Sequence, residues 1–283
     1  MKILLTGCNG QVGWELNRSL TALGQVVAFD RHSLDLAKHD ELVSRVREVK
    51  PDLIVNAAAY TAVDAAEKEP ERAMAINGTA PGILAEEAAR LGSFLVHYST
   101  DYVFDGGKRS PYTEGDVPNP ANVYGRTKLA GEEAIKASGC RHLVLRTAWV
   151  YSERGRNFLL TMLRLAGEKP ELRVINDQTG APTWTREIAE ATGKMLARSS
   201  LPEGLFHLTA SGQTTWYGFA KAIVAMRSLR VPVLPIRSAE YPTPAARPAY
   251  SVLDNSKLKA LTGINMRDWD VALADCLGGI SGS

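Results

Sequence analysis

The sequence predicts an α/β protein: a doubly wound parallel sheet over residues 1–150, then a smaller mixed α/β unit over residues 151–283. Some segments of the second unit can return to the first. Two observations carry the prediction. Over the first half, short continuous apolar runs alternate with longer stretches of helical periodicity. Strands that are apolar throughout are covered on both faces, as in a parallel sheet with crossover helices. The first apolar run also passes straight into a glycine-spaced turn, and then into a helical pattern.

The elements follow in order. Lys2–Thr6 reads as a buried strand, and residues 11–23 as a helix with Val12, Leu16, Leu20 and Leu23 on one face. Residues 25–29 form strand two. Residues 38–49 are helical, ended by Pro51, and residues 52–56 form strand three. A long helix is expected over 71–91, strand four over 93–98, a helix over 122–137 and strand five over 142–146. Past residue 150 the rhythm loosens. Helices are expected over 156–167, 187–197 and 216–228, and prolines cluster between Pro232 and Pro248.

Composition bounds the function. The 283 residues are 45% hydrophobic and 23% charged, an ordinary globular mix. The net charge of +2 predicts no nucleic-acid partner and no anionic membrane surface. Cys8, Cys140 and Cys276 are far apart and form no metal-ligand spacing, so no metal site is predicted. No apolar run approaches a membrane span, and residues 3–5 are too short for a signal-peptide core. A soluble cytoplasmic protein is expected.

The turn Thr6-Gly-Cys-Asn-Gly-Gln-Val-Gly13 carries Gly7, Gly10 and Gly13 between a strand and a helix. In that context glycines allow a tight turn, close approach of the backbone to a pyrophosphate, and close helix–strand packing. The helix N-terminus then offers free N–H groups to the phosphates. Asp30, at the end of strand two, can accept hydrogen bonds from an adenosine ribose. Arg31 beside it can hold a 2′-phosphate, so NADH and NADPH both remain open. Asp35 and Leu36 could frame the adenine. Ala57, Ala58 and Ala59, after strand three, are small enough to let a cofactor lie on the backbone, though close helix packing explains them as well.

Tyr124-Gly-Arg-Thr-Lys128 places a phenol and an ammonium one helical turn apart. A tyrosine titrates near 10, so an adjacent ammonium would lower it toward a useful acid. Lys128 can also meet the nicotinamide ribose. Thr100, at the end of strand four, lies on the same rim and can bind a substrate carbonyl.

Together these residues resemble the extended short-chain dehydrogenase/reductase family, over nearly the whole chain. The segments ending at Asp64 (Val-Asn-Ala-Ala-Ala-Tyr-Thr-Ala-Val-Asp), Asp105 (His-Tyr-Ser-Thr-Asp-Tyr-Val-Phe-Asp) and Glu132 (Asn-Val-Tyr-Gly-Arg-Thr-Lys-Leu-Ala-Gly-Glu) are similar to its branch that reduces dTDP-4-keto sugars. So are the segments ending at Thr183 and Pro248 in the second unit. The resemblance implies a Rossmann domain and reduction of dTDP-4-dehydro-β-L-rhamnose by NADPH or NADH, the last step of dTDP-rhamnose synthesis. It implies Tyr124 as proton donor, Lys128 as its partner and Thr100 as the carbonyl-binding hydroxyl. Gly10, Gln11, Val12, Asp30, Asp35, Leu36, Ala59, Tyr60 and Thr61 would contact the cofactor. Thr100, Asp101 and Trp149 would contact the sugar, and Arg247 suits the diphosphate. Some members hold magnesium at a dimer interface through glutamates. Glu15 could be one ligand, but Arg186 stands where further acidic ligands are expected, so no ion is predicted and a homodimer stays open.

Two other readings compete. A sugar-nucleotide 4,6-dehydratase would carry Asp-Glu after the threonine, whereas Asp101 here is followed by Tyr102. A 4-epimerase is not excluded by sequence. A regulatory subunit like that of methionine adenosyltransferase would bind a partner enzyme instead of turning over substrate.

Overall fold

The computed structural model describes residues 1–280. Among the described residues there are twelve strands: β1 Lys2–Thr6, β2 Gln25–Phe29, β3 Leu53–Asn56, β4 Phe94–Thr100, β5 His142–Thr147, β6 Val150–Tyr151, β7 Leu172–Ile175, β8 Thr179–Gly180, β9 Thr183–Trp184, β10 Gly204–His207, β11 Thr214–Thr215 and β12 Val233–Ile236. Six of them make one sheet, in the order β10-β5-β4-β3-β1-β2, with every pairing parallel. The order reverses between β1 and β3. In an open parallel sheet that reversal opens a crevice beyond the strand carboxyl ends, where ligands bind.

The helices are α1 Gln11–Ser19, α2 His39–Val49, α3 Val63–Ala66, α4 Pro70–Met74, α5 Ala80–Leu91, α6 Val123–Ala137, α7 Phe158–Glu168, α8 Thr185–Leu196, α9 Trp216–Met226, α10 Ser256–Thr262 and α11 Trp269–Gly278. One face of the sheet packs Ile3, Leu5, Val55 and Val96 against Leu16 of α1 and Ile188 and Met195 of α8. The other packs Leu4, Ile54 and Leu95 against Leu42 and Val46 of α2 and Leu84 of α5, with Ile135 of α6 beside them. A separate core joins Leu159 of α7, Phe219 and Ile223 of α9, and Leu273 of α11. Residues beyond 150 therefore serve both bodies, since β10 and α8 complete the first sheet and its cover.

The expected helix over 71–91 is not continuous. A π turn at Ala75–Thr79 separates α4 from α5. Asn77 explains the interruption. Its buried amide accepts from the Tyr60 N–H at 2.8 Å and donates to the Tyr60 carbonyl at 3.0 Å and the Thr127 hydroxyl at 3.2 Å. Widening the turn aims this side chain at the end of β3 and the middle of α6, a use of π turns common at functional sites.

Candidate active site

Because the six strands are parallel, their carboxyl ends form one rim. The Gly7 turn follows β1, Asp30 follows β2, and residues 57–61 follow β3. Thr100 closes β4, and Trp149 follows β5. Most of the residues singled out from the sequence therefore share that edge.

At Gly7 the chain takes φ +72°, and a Cβ there would lie 2.7 Å from the Ala58 nitrogen. Only glycine allows this turn and lets residues 57–58 come alongside. Gly10 caps α1 with no side-chain hydrogen bond, leaving first-turn N–H groups for an anion. Val12 packs on the core below, and Gly13 lies against the Gly7 carbonyl. The cradle fits a diphosphate.

Asp30 is already engaged. Its carboxylate accepts from the backbone of His32 and Ser33, the Ser33 hydroxyl and the Asn9 amide at 2.7 Å. These bonds, led by Ser33, hold it below the usual carboxylate range. Arg31 is exposed, and its charge is felt at Tyr60 across the crevice. Asp35 accepts from the Ala37 N–H. Leu36 is in the core, so its backbone rather than its side chain is left to meet a ligand. Ala57, Ala58, Ala59 and Tyr60 are half-buried, and Thr61 is exposed.

Gln11 points to the second half of the chain. Its Oε1 accepts from the Asn157 amide at 2.8 Å and the Ser152 hydroxyl at 3.1 Å. The 152–157 segment thus folds over the glycine turn, and Arg154 stacks on Trp14 at 3.5 Å. Sequence reasoning missed Ser152 and Asn157. The contact spans some 140 residues and leaves no local signal.

Tyr124 sits in the first turn of α6. Asn122 caps that helix by accepting from the Gly125 N–H at 2.7 Å. The Tyr124 ring stands edge-on to Tyr102, 5.6 Å between centroids. Thr100 Oγ1 donates to Asp101 Oδ1 at 3.0 Å and accepts from the Tyr102 N–H. Asp101 is buried, with Oδ2 unpartnered, and burial raises its carboxyl to about 6.

The expectation that Lys128 lowers the Tyr124 pKa is corrected by the structure. Burial pushes the phenol up to about 12, against a lowering hydrogen bond from Thr100 and with a further rise from the Asp101 charge. Lys128 turns to β4 instead. Its Nζ lies 3.0 Å from His97 Nε2 and donates to the Tyr98 carbonyl at 2.5 Å. Lys128 is buried, which lowers it to about 8. His97 and Asn56 were not singled out as site residues, although both stand inside the segments that carried the resemblance.

Trp149 holds φ +48°, a strained backbone for a bulky residue, and stacks on Trp216 at 3.5 Å. Arg247 pairs bidentately with Asp64 at 2.7 and 3.0 Å. It lines a cavity of about 440 Å³ with Asp177, Gln178, Ser238 and Tyr241. Glu15 lies 3.7 Å from Arg18 and 4.0 Å from Arg186, so cations already face it.

Comparison with known proteins follows the same lines. The family model described as the RmlD substrate binding domain matches residues 1–281. A dTDP-4-dehydrorhamnose reductase of Burkholderia thailandensis is 50% identical, covering 98% of each chain. The crystal structure of a dTDP-4-dehydrorhamnose reductase from Clostridium acetobutylicum superimposes with a TM-score of 0.94 at 40% identity, over 98% of this chain and 99% of that one. The Bacillus anthracis reductase, solved in complex with NADP, gives 0.93 at 35% identity, over 98% of both. The glycine turn, the Thr100–Tyr124–Lys128 set and full-length similarity at this level converge: the chain belongs to the dTDP-4-dehydrorhamnose reductase family.

Proposed function

We propose that this protein reduces the 4-keto group of dTDP-4-dehydro-β-L-rhamnose, giving dTDP-β-L-rhamnose, with NADPH or NADH. The reading rests on Thr100 at the end of β4, on the rim it shares with the glycine turn, with Tyr124 and Lys128 one turn apart on α6 and Tyr102 where a dehydratase glutamate would stand. The turn at Gly7, Gly10 and Gly13 would hold the cofactor diphosphate, Asp30 and Arg31 its adenosine end, and Lys128 its nicotinamide ribose. The reduced nicotinamide supplies hydride.

The protein's own groups manage the proton. A phenol raised to about 12 stays protonated at neutral pH, which is the form a ketone reduction needs. It remains a stronger acid than an ordinary secondary alcohol. Thr100 binds the same oxygen once its hydroxyl leaves Asp101. Trp149 and Asp101 would frame the sugar, and Arg247 at the second-unit cavity would meet the dTDP phosphates.

The reading extends to a cytoplasmic enzyme. Among the described residues no helix is long and apolar enough to cross a membrane. The proposed partner is a nucleotide sugar, neither nucleic acid nor membrane. Magnesium is not proposed, because Arg18 and Arg186 serve Glu15. A homodimer is the assembly to test, by sedimentation.

The decisive assay mixes purified protein, reduced cofactor and enzymatically generated dTDP-4-dehydrorhamnose, followed at the reduced-nicotinamide absorbance. Substrate-dependent oxidation is expected. Interconversion of 4-epimers without net oxidation would overturn the proposal in favour of an epimerase. Co-purification with a synthetase, and no turnover, would favour a regulatory subunit.

A further inference from the structure

Four buried polar residues form a row beneath the active site. Thr6, Asn56 and His97 are register neighbours on β1, β3 and β4, and Lys128 of α6 covers the end of the row. Each is at most 1% exposed. The hydrogen bonds have a direction. Asn56 Oδ1 accepts from the Ala58 N–H at 3.3 Å and the Thr6 hydroxyl at 2.6 Å. A backbone N–H can only donate, so the amide orientation is set, and Asn56 Nδ2 donates to His97 Nδ1 at 3.1 Å. The single proton of the neutral ring then sits on Nε2 and faces Lys128 Nζ at 3.0 Å. An ammonium there would put two donors face to face. Moving the ring proton to Nδ1 only moves the clash to Asn56. The row is satisfied when Lys128 is a neutral amine, accepting from His97 and donating to the Tyr98 carbonyl.

From this proton count we propose that the Thr6–Asn56–His97 row favours the neutral amine at Lys128 in the free protein, so that the residue gives up its proton readily on the alkaline side, and that cofactor binding restores the ammonium by loading a proton onto the neutral fraction. The inference rests on the proposed contact of Lys128 with the nicotinamide ribose, whose hydroxyls accept from an ammonium. The balance is simple: the amine takes one proton from solvent, and the buffer loses it. No bond to carbon changes.

The charges around Lys128 agree. Burial lowers it to about 8. Glu132, on the same helix, opposes this, but its carboxylate is already taken by Arg146 of β5, bidentately, and by the Ser99 hydroxyl of β4. His97 is held well below its usual value, by burial and by the Lys128 charge. Tyr124 is protonated and contributes no charge, and Asp101 acts on it rather than on Lys128. His97 and Asn56 are thus positioning residues that act through Lys128.

Calorimetric titration of NADH and NADPH in buffers of different ionisation enthalpy counts protons taken up on binding. For a lysine near 8 that rises to its ordinary value when bound, uptake should grow from about 0.1 proton at pH 7 to about 0.75 at pH 8.5. Lys128→Met should abolish it. Asn56→Asp reverses the row: a carboxylate accepts from His97 Nδ1–H, and Nε2 becomes an acceptor for the ammonium. Cofactor should still bind, with uptake at pH 8.5 near zero. His97→Gln, which can offer its amide oxygen to the ammonium, should do the same if Asn56→Asp fails to fold. Cofactor binding with uptake flat near zero in the unmodified protein, or full uptake in a folded Asn56→Asp or His97→Gln variant, would overturn this inference and leave the reductase reading intact. Absence of any cofactor binding would overturn both.

Discussion

Asp101→Asn is expected to stabilise the protein at neutral pH while it damages turnover. Asp101 is 2% exposed, and its Oδ2 has no hydrogen-bond partner. Burial raises its carboxyl from 3.8 to about 6. The native state therefore binds the proton more tightly than the unfolded chain does. Stability falls as pH rises through the window from 3.8 to about 6, and above it the full cost is present. About two units at 1.4 kcal/mol each make that cost roughly 3 kcal/mol. Asparagine keeps the oxygen that accepts from Thr100 and places an uncharged N–H at the unpartnered position, close to Ser251. A gain of about 1–3 kcal/mol at pH 7.5 is expected once desolvation of the new amide is set against it. For a chain of this size that is roughly 2–5 °C in Tm. Urea and thermal unfolding at pH 7.5 and 4.5 provide the check, since between those pH values the stability of the variant relative to the parent should fall by about 2 kcal/mol. An equal gain at both pH values, or a loss at pH 7.5, would refute the reasoning. The trade is familiar at sites that bury a charge for function.

Tyr124→Phe keeps the ring against Tyr102 and removes only the proton donor, so kcat should fall by about 10²–10⁴ with cofactor affinity near normal; near wild-type turnover in single-turnover reduction would remove Tyr124 as the acid. Arg31→Ala should weaken NADPH more than NADH in fluorescence titrations, because only NADPH carries the 2′-phosphate. Equal weakening would take Arg31 out of the site. His207 is buried with both ring nitrogens unpartnered and is lowered from 6.5 to about 3. Its depressed value means stability present above pH 6.5 is lost as pH falls, by about 2 kcal/mol at pH 5. His207→Leu should flatten that part of the stability–pH curve, and an unchanged slope would assign acid lability elsewhere.

Much of the fold was legible along the chain. The apolar runs became β1 to β5 within a residue or two, because strands covered by helices on both faces are apolar along most of their length. The glycine turn and the Tyr124/Lys128 pair were legible because their chemistry is local: one turn, one helical face. The π turn at Asn77 was not. Helical periodicity continues through it, and only the distant Tyr60 and Thr127 explain the break.

The sequence by itself determined which groups are available and which edge of the sheet carries them, since local propensity and parallel topology are enough for both. Tertiary structure decided what those groups are like. It raised the Tyr124 phenol that spacing alone expected to be lowered, because burial outweighs the lowering hydrogen bond from Thr100 while Lys128 turns toward His97. It brought Gln11 to Asn157 and Asp64 to Arg247, pairs that no local pattern encodes. It also aligned Thr6, Asn56 and His97, which belong to three separate strands, into one directed row ending on Lys128. A pKa or a hydrogen-bond direction depends on every neighbour in space, and most of those neighbours lie far away along the chain.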